Sequence, residues 1–294
     1  MLVTPLTPRT RILTFEDDIS LLLVITDKEI ILCDTHCGPE SMQEVLDYLA
    51  SEDLSHEIVV FNSHSDWDHI WGNSAFPGSN IIAHKYLPGR LHDRGLFDLA
   101  ENGSSARGEV SLIYPNLLFD TELLLEDADI RFIYAPGHTI DSAICYDEKD
   151  RVLFLGDLVE DPIPYLDYEQ LDLYIRTLEQ ILKIPADHLV SGHSGLVSHD
   201  LIRSNIRYIT QVMNNEPVDT STFGEYASVH QINLNTLVMF RYEKIVRKIL
   251  GERFDFSGFW SYPTDLAGIS TEELKLRMDE YARSLKQSPG RYLK

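Results

Sequence analysis

At 294 residues and 44% hydrophobic content, the chain is long enough for one or two domains around a substantial core. Its 47 Asp and Glu against 25 Lys and Arg give a formal charge of −22, which argues against a nucleic-acid partner, because such partners are held by cationic side chains that displace counterions. No run approaches the roughly 20 apolar residues of a membrane span. The segment from Met1 to Pro8 lacks the basic and apolar regions of a signal peptide, so no membrane partner and a cytoplasmic location are expected.

In chain order, short strands are expected over residues 12–15, 19–26 and 29–33, then a helix over 39–50 with apolar spacing at Met42, Val45, Leu46 and Leu49. A strand over 57–62 leads into a His- and Asp-rich run, and another covers 80–83. Residues 88–108, Gly-rich and charged with little periodicity, read as a partly helical surface loop. Strands follow over 123–125, 130–134, 142–146 and 151–155. A helix marked by Leu171, Tyr174, Ile175, Leu178, Ile181 and Leu182 stops before Pro185. The next is expected to be capped by Asp200, with a buried stripe of Ile202, Ile206, Ile209 and Met213.

Past residue 213, a linker over 215–221 precedes two helices. Their stripes are Leu234, Val238, Tyr242, Ile245 and Ile249, then Leu274, Met278, Tyr281 and Leu285, the second opened by a capping box at Ser270 and Glu273. The aromatic segment between them, 254–263, reads either as packing between helices or as a lid. Cys33 and Cys145 read as small core residues and Cys37 as a loop residue; an odd count without metal-type spacing argues against a disulfide framework.

Chemistry concentrates in His64-Ser65-Asp66-Trp67-Asp68-His69 and in three later residues, His138, Asp157 and His193. Each of the three follows a strand-like apolar run, so its side chain stands where backbone pairing stops, and such groups can converge on cations. Among the remaining histidines, His36, His56, His84, His92, His188, His199 and His230, His84 is expected nearest the site. Trp67 reads as support beneath the loop, and Tyr165 and Tyr168 as pocket-lining or surface residues.

The order His64-x-Asp66-x-Asp68-His69, Gly137-His138-Thr139, Gly156-Asp157, Gly192-His193 resembles the metallo-β-lactamase superfamily over about residues 11–212. The resemblance implies an α/β fold, a four-layer αβ/βα sandwich, in residues 1–212, with a helical C-terminal extension, a candidate lid, in 213–294. It implies two divalent metal ions. The first is held by His64, Asp66 and His138, the second by Asp68, His69 and His193, with Asp157 bridging and Asp34 supporting from behind. The implied activity is hydrolysis of a small ester, thioester, lactone or phosphodiester by a metal-bridging hydroxide, with Asp68 and Asp157 as catalytic residues.

Asp66 departs from the family pattern, which has His there. A hard oxygen donor moves preference toward iron or manganese, although zinc also accepts carboxylates and stays first among the candidates. Flavodiiron proteins, non-haem iron oxidoreductases on the same fold, carry an acidic residue at this position, but no Gly-rich flavin site follows residue 212. A degenerate metal-binding module is the third alternative. A homodimer stays open.

Overall fold

The computed structural model describes residues 1–16, 19–262 and 265–287. Its first sheet takes seven strands in chain order: β1 (Leu2–Pro5), β2 (Thr10–Thr14), β3 (Ser20–Ile25), β4 (Glu29–Cys33), β5 (Glu57–Phe61), β6 (Ile81–His84) and β7 (Leu117–Phe119). The first four form an antiparallel meander, and β4 to β7 pair in parallel. The second sheet holds β8 (Glu122–Leu125), β9 (Ile130–Tyr134), β10 (Ala143–Asp147), β11 (Val152–Phe154), β12 (His188–Ser191) and β13 (Gly195–Val197), side by side, with β11 and β12 parallel.

Parallel neighbours need a crossover, and the helices supply it. Between β4 and β5 runs α1 (Pro39–Ser51), and between β5 and β6 the short α2 (Trp67–Ile70). Between β6 and β7 lies α3 (Leu87–Asn102), between β11 and β12 lies α4 (Leu171–Ile181), and α5 (His199–Met213) follows the second sheet.

Central strands buried on both faces turn this into four layers. Leu22 and Val24 of β3, with Ile31, Val59 and Phe61, meet Phe132, Cys145, Phe154 and Val190 between the sheets, where Phe61 stacks on Phe132 at 4.7 Å. The opposite register, Leu21, Leu23, Ile30 and Leu32, packs against Met42, Val45 and Leu49 of α1. On the far side, Ile144, Leu153, Leu155 and Leu189 pack against Tyr174 and Leu178 of α4 and Ile202 and Ile209 of α5. The four-layer αβ/βα sandwich is therefore present, with helices following it.

Several elements differ from the sequence reading. Residues 88–108 are mostly α3, a 16-residue helix. Its buried stripe, Leu87, Leu91, Gly95 and Asp98, has helical spacing, but a glycine and an aspartate hide it from any hydrophobicity count. Ser198, not Asp200, caps α5: its Oγ accepts from the Leu201 N–H at 3.3 Å. The buried face of α5 is Ile202, Asn205, Tyr208, Ile209 and Val212, whereas Met213 is exposed. Strands β1, β7 and β13 escaped notice because they are three or four residues long and largely exposed, too short to write an alternation.

After the sandwich come α6 (Ala227–Leu250), α7 (Phe256–Trp260) and α8 (Thr271–Gln287). They share a small core of Val238, Met239, Tyr242, Val246, Phe259, Leu274, Met278 and Leu285. Half of the expected capping box is present, the Glu273 N–H donating to Ser270 Oγ at 3.3 Å. Phe259 of the aromatic segment lies in this core; Pro263 falls outside the described residues.

Two buried asparagines bind the stretch after β11 to these helices. Asn205 of α5 accepts from the Glu160 N–H at 3.0 Å and donates to the Glu160 carbonyl at 2.9 Å. Asn233 of α6 accepts from the Leu166 N–H and donates to the Pro164 carbonyl, both at 2.9 Å. A buried backbone group without a partner costs about 1–3 kcal/mol. Asn205→Ala, which leaves two such groups at Glu160, should lower the unfolding free energy by about 2–6 kcal/mol; an unchanged value in urea unfolding would contradict the clamp.

Candidate metal centre

Strand ends deliver the site. His64 follows β5, His138 follows β9, Asp157 follows β11 and His193 follows β12, while Asp34 sits one residue past β4. Close approach at two glycines lets them meet. Gly156 has φ +52 and faces Ser63 Oγ, and a Cβ at Gly192 would overlie Asp157 Oδ1 and stand 2.9 Å from His69 Cε1.

Hydrogen bonds fix which nitrogen of each imidazole faces inward. Asp34, fully buried, accepts from the Ser63 N–H and Ser63 Oγ–H at 2.7 Å each, and from His69 Nδ1 at 2.8 Å. Since the Ser63 proton points to Asp34, His64 Nδ1 at 2.9 Å must donate to Ser63 Oγ. His138 Nδ1 donates to the Tyr165 carbonyl at 3.1 Å, an atom that can only accept. In their neutral form these three rings therefore turn the Nε2 lone pair toward the centre, the orientation that metal ligation needs.

Three donor groups result, each with its ligand atoms within 4.8 Å of one another: His64, Asp66 and His138; Asp68, His69 and His193; and, between them, His64, His69 and Asp157. Asp157 Oδ2 lies 3.1 Å from His69 Nε2, 3.2 Å from His193 Nε2, 3.7 Å from His64 Nε2 and 4.0 Å from His138 Nε2. Asp66 Oδ2 is 3.2 Å from His138 Nε2, and Asp68 Oδ2 is 3.2 Å from His193 Nε2. His64 Nε2 and Asp157 Oδ1 are buried without a hydrogen-bond partner. Orphaned acceptors in an interior are costly, and cations between the groups satisfy both, so these residues fit a metal pair. All seven residues singled out from the sequence are brought together here.

Electrostatics agree. Burial works against ionisation of Asp157, but His193 and His69 hold its carboxyl well below the usual range. The reverse holds for the rings. Burial lowers His69 and His193, yet Asp157 and Asp68 push both well above their ordinary value, and His138 rises to about 9 against burial through Asp66 and Asp157. Without a cation, imidazolium supplies the positive charge that three carboxylates demand.

A cavity of about 590 Å³ opens onto these groups, walled by Trp67, Glu160, Tyr165, Leu166, Asp167, Tyr226, Ile232, Asn233 and Thr236 among others. Tyr165 lines it; Tyr168 lines instead a second cavity of about 320 Å³ beside Phe240 and Phe256. Trp67 lies 5.1 Å from the Trp71 ring. His84 belongs to none of the three donor groups and does not line this cavity: it is buried, stacked on Tyr134 at 3.7 Å, with Nε2 on the Asp120 carbonyl at 2.8 Å.

Sequence reasoning missed four charged residues around the centre. Arg90 pairs with Asp66 and Asp167, and Asp141 is buried 3.8 Å from Arg90 Nε. Glu160 is buried in the cavity wall; burial, then Asp157, push it up to about 7, with His193 and His138 opposing. None carries a motif. The one available signal was Glu160 standing three residues past Asp157.

Comparison with known proteins decides the family. The metallo-beta-lactamase superfamily profile matches residues 16–193, more than half of the chain. The chain belongs to the metallo-β-lactamase superfamily. Membership places it among hydrolases. A human relative named acyl-coenzyme A thioesterase MBLAC2 is 26% identical over 243 residues, 71% of this chain and 85% of that protein. The Beta-lactamase-like protein 2 homolog of Drosophila melanogaster is 25% identical over 163 residues, 55% of this chain; the chain spans about half of that relative's length, 53%. In structure, a metallo-beta-lactamase from Pontibacter korlensis superposes with TM-score 0.56 at 20% identity over 71% of this chain and 98% of its own. A double mutant of the sec-alkyl sulfatase PisA1 superposes with TM-score 0.61 at 13% identity, covering 95% of this chain and 62% of its own, so that likeness of fold reaches the C-terminal helices.

A pH dependence follows from the histidines. Ligation needs neutral imidazole, and His138 in the metal-free protein keeps its proton up to about pH 9. Metal uptake at pH 7 therefore releases protons, and apparent affinity rises as pH climbs toward 9. Zinc titrated into metal-free protein should give heats that depend on the buffer's ionisation enthalpy; heats identical in all buffers would contradict the assignment.

Proposed function

We propose that the protein is a binuclear metal-dependent hydrolase acting on a small acyl ester or thioester. The observation that carries the reading is the pair of donor triads, His64–Asp66–His138 and Asp68–His69–His193, facing one shared carboxylate, Asp157. A bound pair of divalent cations, zinc foremost and iron or manganese the alternatives, supplies Lewis acidity and lowers the pKa of water from about 15.7 toward 7.

The chain's own residues do the rest. Asp68 and Asp157 would hold the pair, and Asp157, which lies between the two triads, would also orient the attacking water. A cavity of about 590 Å³ beside the donor groups gives room for a small-molecule acyl group. Glu160, in the same wall and pushed up to about 7 chiefly by burial, is the carboxyl placed to pass a proton to the leaving group.

Among esters, thioesters, lactones and phosphodiesters, the thioester is favoured by the human relative named as an acyl-coenzyme A thioesterase, 85% of which this chain covers. Residues 213–294 enter as an extension to the 1–212 domain that closes the cavity through Tyr226, Ile232, Asn233 and Thr236. No nucleic-acid or membrane partner enters this reading, and among the described residues no helix is long and apolar enough to cross a membrane. An iron redox centre is the competing reading, favoured by the Asp66 carboxylate alone.

Zinc-reconstituted protein should hydrolyse a generic acyl thioester, with loss of activity in chelator. Asp157→Ala should lose metal and activity together, whereas Glu160→Gln should keep its metal and lose about 10²-fold in kcat. Protein that retains iron with oxygen-sensitive spectra, and cleaves none of the four substrate classes, would contradict the hydrolase.

A further inference from the structure

Asp66 is where this chain departs from its family, and its neighbours show how a carboxylate works there. Helix α3, which hydrophobic periodicity conceals, brings Arg90 onto it. Arg90 Nη1 pairs with Asp66 Oδ1 and also donates to Ser65 Oγ at 2.9 Å. Its Nη2 pairs with Asp167, which Arg94 holds as well at 2.6 Å, and its Nε faces the buried Asp141 at 3.8 Å. The Arg90 side chain is only 10% exposed. Held by carboxylates on three sides, this guanidinium is a fixed fork rather than a mobile surface charge.

With Oδ1 committed to Arg90, Asp66 turns a single oxygen toward the centre: Oδ2, 3.2 Å from His138 Nε2 and 3.4 Å from His64 Nε2. We propose that Arg90 is the positioning residue that makes Asp66 a replacement for histidine, by limiting it to one donor atom and offsetting its charge. The inference rests on reading Asp66 as a ligand of the first metal. An unclamped carboxylate can bind through both oxygens and attracts harder cations; a clamped one offers one atom, as an imidazole does. Aspartate in place of histidine at residue 66 adds one negative charge beside the first cation, and the Arg90 guanidinium paired with it offsets that charge. Asp167 and Asp141 brace the guanidinium from its far side. The Asp66–Arg90 pair thus keeps the first site close to a zinc site despite its oxygen ligand.

The decisive experiment restores the family's own motif. Asp66→His leaves the guanidinium facing a neutral ring and the cation, so the first-site zinc affinity, read by competition with a chromogenic chelator, should fall by about tenfold or more. Asp66→His/Arg90→Gln removes the surplus charge and should recover at least half of that loss on a logarithmic scale, with second-site affinity unchanged throughout. In the wild-type background, Arg90→Gln should shift competition between zinc and manganese toward manganese. Circular dichroism of each variant reports folding; Asp66→His leaves the Arg90 contacts to Asp167 and Asp141 in place and remains informative if Arg90→Gln unfolds. An Asp66→His protein that binds its first zinc as tightly as wild type, or a double variant no better than the single, overturns the role of Arg90 and leaves the metal pair standing. Wild-type protein that binds no zinc overturns both.

Discussion

The centre depends on one buried carboxylate that faces away from it. Asp34 is fully inaccessible, sits at φ +66, and accepts three hydrogen bonds, two from Ser63 and one from His69. Through Ser63 it fixes the tautomer of His64, and directly it fixes that of His69, so one side chain orients an imidazole in each triad. Such outer partners set both the direction and the basicity of a ligand. The sandwich exists to hold Asp34 still: β4 and β5, parallel neighbours, carry it and Ser63 on adjacent strand ends, with Asp34 N–H on the Phe61 carbonyl at 2.8 Å.

Charge organises the remainder. Asp66, Asp68 and Asp157 crowd three negative groups into an interior that disfavours each of them, and the structure answers with imidazoles raised well above their ordinary value and with Arg90. Cations and protons thereby compete for one set of lone pairs. The same crowding reaches Glu160, whose carboxyl is raised by burial and by Asp157 in the wall of the cavity that the donor groups face.

Much of this was legible in the sequence because the centre is built at strand ends, and central strands announce themselves. Residues 30–33, 130–134 and 152–155 are apolar runs, so the polar residue after each stood out. The shortest, most exposed strands did not: β1, β7 and β13 lack the two-sided burial that writes a pattern. Helix α3 stayed hidden because Gly95 and Asp98 occupy two positions of its buried stripe, and with it went Arg90, the residue that explains Asp66. Asn205 and Asn233 were invisible for a similar reason, since a polar residue on a helix reads as solvent-facing until the backbone it binds is known. The wall of the cavity is assembled from such residues, while the donor set came from a compact motif.

The central claim is that two cations share Asp157. Crystals of protein reconstituted with zinc, measured at the zinc absorption edge, test it directly. Two anomalous peaks about 3.5–4 Å apart, one beside His64, Asp66 and His138, the other beside Asp68, His69 and His193, are the predicted result. A single peak, or none between these side chains, would contradict it.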